Sequence, residues 1–245
     1  MNPVLAALAE ALEDDCVAVP ASGSDVCPVC RGHRYEAEQV CGSCYVCRDR
    51  LGSASEVVPV SLYCKPSPMR DRLRYYKDSD DAELRRQLSQ EIAALVETFF
   101  GNSRIQLEDH FGGWDSVCVV PSSDREPPHP LETALAEFSA HACGPLAHHL
   151  KRGSGEIGHR KPNAQAFEPA SAVTGRRILL LDDVFTTGAR SQSAAYALRN
   201  AGAVVPLVVV VARRVNPDWR PEVREWWDRQ SRQPFAWTVQ PYSDR

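Results

Sequence analysis

Over residues 81–100, Leu84, Leu88, Ile92, Leu95, Val96 and Phe99 recur every three or four positions. That stripe predicts a helix with one buried face, N-capped by Asp80 or Asp81 and stopped at Gly101-Asn102. The same period predicts a short helix over 3–13 through Val4, Leu5, Leu8 and Leu12. It also predicts a longer helix over 131–150 through Leu135, Phe138 and Ala142, interrupted at Gly144-Pro145, and one over 188–201 with Gly202 at its C′ position. Elsewhere the period gives way to unbroken apolar runs. Residues 115–120 (DSVCVV), 177–181 (RILLL) and 204–212 (VVPLVVVVA) read as strands buried on both faces. Residues 57–63 and 235–239 read as further strands, and Trp226-Trp227 lie on a helix. Residues 151–169 are polar, carry three glycines and read as a mobile loop; 121–130 is a Pro/Ser-rich loop. The strand–helix–strand order from 177 to 212 is a βαβ unit, which requires parallel strands and a right-handed crossover.

Composition bounds this picture. The chain has 245 residues, 43% hydrophobic and 24% charged. This suits one large soluble domain with room for a satellite, and enough apolar material to exclude disorder throughout. The net charge of −4 excludes a chain-wide electrostatic grip on nucleic acid or an anionic membrane. A local exception is Met69–Lys77, basic with interleaved tyrosines. It reads either as a DNA or phosphate contact through Arg72, Arg74 and Lys77, or as a solvated face over packed tyrosines. The longest apolar run, 203–212, is shorter than the ~20 residues of a membrane-spanning helix. The first fifteen residues lack the basic start of a secretory leader, so the chain is expected in the cytoplasm.

Cysteine usage divides the chain. There are nine, and five fall between Cys27 and Cys47. Cys27-Pro-Val-Cys30-Arg-Gly32 has the form of a zinc knuckle, and Cys41-Gly-Ser-Cys44 and Cys47 follow it. Four thiolates fill a tetrahedral site, so a structural zinc is expected on Cys27, Cys30 and two of Cys41, Cys44 and Cys47. Residues 1–50 therefore form a helix plus knuckle segment, and 51–245 an α/β domain. His148-His149 are a weaker metal candidate, set against a plain helix end. Trp226-Trp227 are a base-stacking candidate, set against packing.

The most informative stretch is Asp182-Asp183-Val184-Phe185-Thr186-Thr187-Gly188-Ala189, at the carboxyl end of a buried strand, where ligands of open α/β sheets bind. Adjacent carboxylates there need hydroxyls or a cation to offset their desolvation. The Thr-Thr-Gly turn leads into a helix N-terminus, whose free amides and dipole suit a phosphate. Acid pair plus anion cradle points to a sugar phosphate.

Residues 178–189 (ILLLDDVFTTGA) resemble the phosphoribosyl pyrophosphate motif of type I phosphoribosyltransferases. With the cysteine knuckle, the Val120-Pro121 strand end and Arg160-x-x-Asn163-x-x-x-Phe167, the order over about 27–214 is similar to the ComF family. That resemblance implies a parallel-sheet phosphoribosyltransferase-like domain with an N-terminal zinc segment, ligated here by Cys27, Cys30, Cys41 and Cys44. It further implies that Asp182 and Asp183 approach the ribose hydroxyls and that Phe185, Thr186, Thr187, Gly188 and Ala189 wrap the 5′-phosphate. Mg²⁺ would accompany the pyrophosphate, and Ser122, Ser123, Arg160 and Lys161 are candidate pyrophosphate contacts. The Arg-Gly-Phe-Asn-Gln-like segment of many family members is replaced here by residues 124–130 (DREPPHP). Two kinds of function follow. One is a transferase using a nucleobase or other acceptor. The other is a non-catalytic protein, either a phosphoribosyl pyrophosphate sensor or a partner in DNA uptake and natural competence. Assembly as a homo-oligomer stays open.

Overall fold

The computed structural model describes residues 3–122, 124–139 and 141–239. Its centre is a four-stranded sheet in the order β1-β6-β5-β2, with β1 Val57–Tyr63, β2 Ser116–Val119, β5 Ile178–Phe185 and β6 Val208–Arg214. Every pairing is parallel. The apolar runs are unbroken because both faces are covered. Side chains alternate across a strand, so Leu179 and Leu181 join one core cluster with Val209, Val211 and helix α4 (Ala82–Phe111). Ile178 and Leu180 join the other, with Val208, Val210 and Ala194, Ala195 and Leu198 of helix α6 (Ala189–Asn200). Cys27, Cys30, Cys41, Cys44, Val29 and Val40 belong to this second cluster, so the knuckle packs directly on the sheet. The strand β5, α6 and β6 form the expected βαβ unit. The other helices are α1 (Pro3–Ala11), α2 (Gly42–Leu51), α3 (Pro68–Asp78), α5 (Pro130–Phe138) and α7 (Pro221–Gln230). None is long and apolar enough to cross a membrane.

Four expectations are corrected. The predicted stop at Gly101-Asn102 does not hold, and α4 runs on to Phe111. Beyond the glycine, Ser103 and Leu107 are buried, and the Ser103 hydroxyl donates to the Trp237 carbonyl at 2.9 Å. That burial outweighs the ~1 kcal/mol helical cost of a glycine. Helix α5 ends at Phe138 instead of continuing toward 150. Buried Glu97 draws the chain aside there, accepting from the Ser139 hydroxyl and from the Ala142 amide at 2.9 Å. The segment 151–169 is not a featureless loop, because β3 (Leu150–Arg152) and β4 (Phe167–Pro169) pair as an antiparallel ribbon. Residues 235–239 form no strand; Phe235 and Trp237 pack against the α4 core cluster instead.

Candidate functional site

Strand β5 extends past Leu181, so the acid pair lies within it instead of at its end. Asp182 is 1% exposed and Asp183 0%. Their charge is met from three elements. Arg190, in the first turn of α6, clamps Asp182 through both Nε (3.2 Å) and Nη2, and reaches Asp183 Oδ1 at 2.8 Å. From α3, Tyr76 Oη donates to Asp183 Oδ2 at 2.5 Å and Lys77 Nζ pairs with the same oxygen. His129, the N-cap of α5, is buried with a ring nitrogen within 4.8 Å of both carboxylates. Burial alone would raise the Asp183 carboxyl, but Lys77, Arg190 and His129 hold it well below the usual range. Burial pushes Asp182 up to about 6 against the pull of Arg190, and the charge of Asp183 adds to the rise. Burial also pushes His129 down to about 4. The pair therefore carries one firmly ionised member and one that protonates readily.

One turn further lies the Thr186–Gly188 bend. Gly188 has φ +76° and N-caps α6 with no side-chain capping bond. A Cβ there would lie 2.6 Å from the Phe185 ring, so glycine is required on two counts. The bend opens into a cavity of about 380 Å³. Its walls are Thr186 and Thr187, Arg213 and Arg214 at the end of β6, Cys41 to Ser43 of the knuckle, and His159, Arg160 and Trp219. The Arg160 amide donates to Thr187 Oγ1 at 3.3 Å, and its guanidinium lies 5.3 Å from the centre of the Trp219 ring. Trp219 is 50% exposed. The cavity thus joins two hydroxyls beside a helix N-terminus, several cations and a half-exposed tryptophan ring that Arg160 and Arg220 approach at 5.3 and 5.2 Å, a set suited to an anionic ligand.

The other candidates disperse. Lys161 is exposed and does not line this cavity. Ser122 lines a separate cavity of about 340 Å³ beside β2, with Arg125, Lys151 and Arg152. Its hydroxyl donates to Asp124 at 2.7 Å. Ser123 lies outside the described residues. His148 pairs with Glu132 at 3.0 Å, and buried His149 lies between the hydroxyls of Ser116 and Ser171. Among the described residues neither joins a metal-binding group. Trp226 and Trp227 are buried with Leu62, Val215 and Val223, which is packing. In the basic segment, Lys77 goes to Asp183, while Arg72 pairs with Asp15 and with Glu91, both at 2.7 Å. Two of its three candidate cations are therefore spent inside the protein.

The knuckle closes on itself. The sulfurs of Cys27, Cys30, Cys41 and Cys44 lie within 4.8 Å of one another, with Cys30 and Cys41 at 3.6 Å. Zn–S bonds of ~2.3 Å in a tetrahedron set sulfur–sulfur distances of ~3.8 Å, so the four fit a structural zinc. Cys47 stands outside the group. Its thiol lies 3.8 Å from the Thr187 carbonyl, and burial pushes its pKa up to about 12.

Sequence reasoning missed Tyr76, Arg190, His129 and Arg213. Only Arg190 carried a signal, as the residue following Ala189. Lys77 was noticed for its charge, but not for its carboxylate partner.

No family model matches the chain. It is 27% identical over 122 residues to the orotate phosphoribosyltransferase of Rhodopseudomonas palustris strain BisB18. The match takes in 50% of this chain and 60% of that protein's length. Similar solved structures include an adenine phosphoribosyltransferase, 14% identical, over 62% of this chain and 79% of that one, TM-score 0.34. Another is the adenine phosphoribosyltransferase of Rhodothermus marinus, 15% identical over 49% and 80%, TM-score 0.31. The sequence match, the parallel sheet and the acid pair on its central strand make the fold phosphoribosyltransferase-like.

Proposed function

We propose that this chain binds phosphoribosyl pyrophosphate with Mg²⁺ and transfers the phosphoribosyl group to an acceptor of unknown identity. The observation that carries the reading is the Thr186–Gly188 bend, a glycine-capped helix N-terminus at the carboxyl end of the central parallel strand, open to a cationic cavity. The 5′-phosphate would sit on the amides and hydroxyls of this bend. Arg160 and Arg214 would balance further charge, and a planar acceptor would face Trp219. His129, Asp182 and Asp183 stand close enough to hold a metal ion, but Arg190 already pairs with both carboxylates and Lys77 with Asp183. Mg²⁺ would therefore arrive on the pyrophosphate oxygens, where it supplies charge neutralisation. For ribose hydroxyls to reach Asp182 and Asp183, Arg190 must turn outward and give up its bonds to both carboxylates.

The saturated pair also favours a second reading, binding without turnover, as a sensor of phosphoribosyl pyrophosphate or a ComF-type protein of DNA uptake. The internal use of Arg72 and Lys77 weakens the DNA branch. The deciding experiment follows pyrophosphate release from phosphoribosyl pyrophosphate and Mg²⁺ with a panel of nucleobases. Release with one acceptor supports the transferase. Binding without release for any acceptor supports the sensor.

A further inference from the structure

Arg213, the penultimate residue of strand β6 and a wall of the cavity, is 7% exposed. A buried guanidinium needs an anionic partner, because desolvating it alone is costly. Here the partner is sulfur: Nε donates to Cys30 Sγ at 3.3 Å, and Nη1 donates to the Arg214 carbonyl at 3.0 Å. Gly32 permits the approach. An added Cβ at that position would lie 2.0 Å from the guanidinium carbon. Four thiolates around a dication carry a net charge of −2, which Arg213 offsets in part.

The same guanidinium lies over the Phe185 ring, 5.8 Å from its centre. That ring in turn abuts Gly188, the cap of α6. Sulfur, guanidinium, ring and phosphate bend therefore form one continuous packed line. Cys47 adds a second contact, at the Thr187 carbonyl.

The geometry points to Arg213 as a positioning residue that couples the four-cysteine centre to the phosphate bend, so that a dication in one and a phosphate at the other favour each other. This rests on the phosphate reading of that bend. With the centre filled, the thiolates hold Arg213 over Phe185, and Phe185 holds the bend in its binding shape. With the centre empty, the clamp is lost and the bend must be ordered at the ligand's expense. Linkage requires the reverse effect to be equal.

The test uses the full chain with Co²⁺ in place of the native metal, wild type beside Arg213→Met and Gly32→Ala. The second variant displaces the guanidinium while keeping its charge. Chelator competition should show metal affinity lower by about 10–100-fold in both variants. Adding phosphoribosyl pyrophosphate should shift the thiolate-to-Co²⁺ absorption bands of the wild type and leave those of both variants unchanged. Unchanged metal affinity in both variants overturns the role of Arg213. Ligand binding by calorimetry without a band shift in the wild type overturns the coupling and leaves the ligand reading standing. No ligand binding at all, with metal affinity still reduced, overturns the ligand reading and the coupling together but upholds the Arg213–sulfur contact.

Discussion

Replacing Asp183 by asparagine keeps the shape of the side chain and removes its charge. The structure then leaves Lys77 and Arg190 facing a neutral amide at a position that is itself fully buried. Tyr76 can still donate to the amide oxygen, so its hydrogen bond survives while the ion pairs do not. Breaking one side of a buried ion pair costs about 3–5 kcal/mol. At ~2–4 °C per kcal/mol for a chain of this size, Tm should fall by about 6–20 °C. Asp182→Asn should cost less, because burial has already moved that carboxyl up to about 6. The pH dependence has opposite signs at the two positions. Asp183 is depressed in the fold, so its contribution is present above the ordinary carboxylate pKa of ~4 and lost as pH falls through its folded value. Asp182 is raised, so between about pH 4 and 6 the folded state binds its proton more tightly than the unfolded chain. Stability from this group grows as pH falls from 6 toward 4. Urea unfolding followed by circular dichroism at pH 7, pH 5 and pH 3 measures both effects, the Asp182 gain between about pH 6 and 4 and the Asp183 loss below about pH 4. An Asp183→Asn protein within ~1 kcal/mol of wild type, or an Asp182→Asn protein less stable than Asp183→Asn, would refute the buried-pair account.

Gly188→Ala should cost about 1–3 kcal/mol from the positive φ alone and more from the clash with Phe185, with phosphate-ligand binding lost in a thermal-shift assay. Elemental analysis should give one zinc per chain, lost in Cys30→Ala but retained in Cys47→Ser, whose sulfur stands apart from the four. Fluorescence and circular dichroism should show that stripping the metal unfolds the knuckle, since such sites supply ~10–16 kcal/mol of apparent binding energy. An NMR titration should find His129 neutral at pH 7, with its midpoint at about 4; a midpoint above 6 would contradict its burial.

What the sequence made legible was local. The runs RILLL and VVPLVVVVA read as strands because parallel strands covered on both faces leave unbroken apolar stretches, although the second strand starts only at Val208 and runs on to Arg214. The DD-TTG turn read as an anion site because glycine, hydroxyls and a helix start are contiguous. The paired cysteine motifs likewise carry their geometry in their spacing. What stayed hidden was set by distance along the chain. Tyr76 meets Asp183 across 107 residues and Arg213 meets Cys30 across 183, and no periodicity reports such pairings. The same holds for helix α4, where the burial of Ser103 and Leu107 against later segments overrides a glycine stop signal. Most consequentially, a basic stripe that looked solvated turned two of its cations inward, and one of them seals the acid pair. That is why the acid pair, read as open to a sugar, is closed in the structure.

The central claim is that the Thr186–Gly188 bend holds a phosphate of phosphoribosyl pyrophosphate. The most direct measurement is calorimetric titration of phosphoribosyl pyrophosphate with Mg²⁺ into wild type and Gly188→Ala, each shown folded by circular dichroism. The account predicts one ligand per wild-type chain and at least a tenfold loss of affinity in the variant. No binding to the wild type, or equal affinity in both proteins, would contradict it.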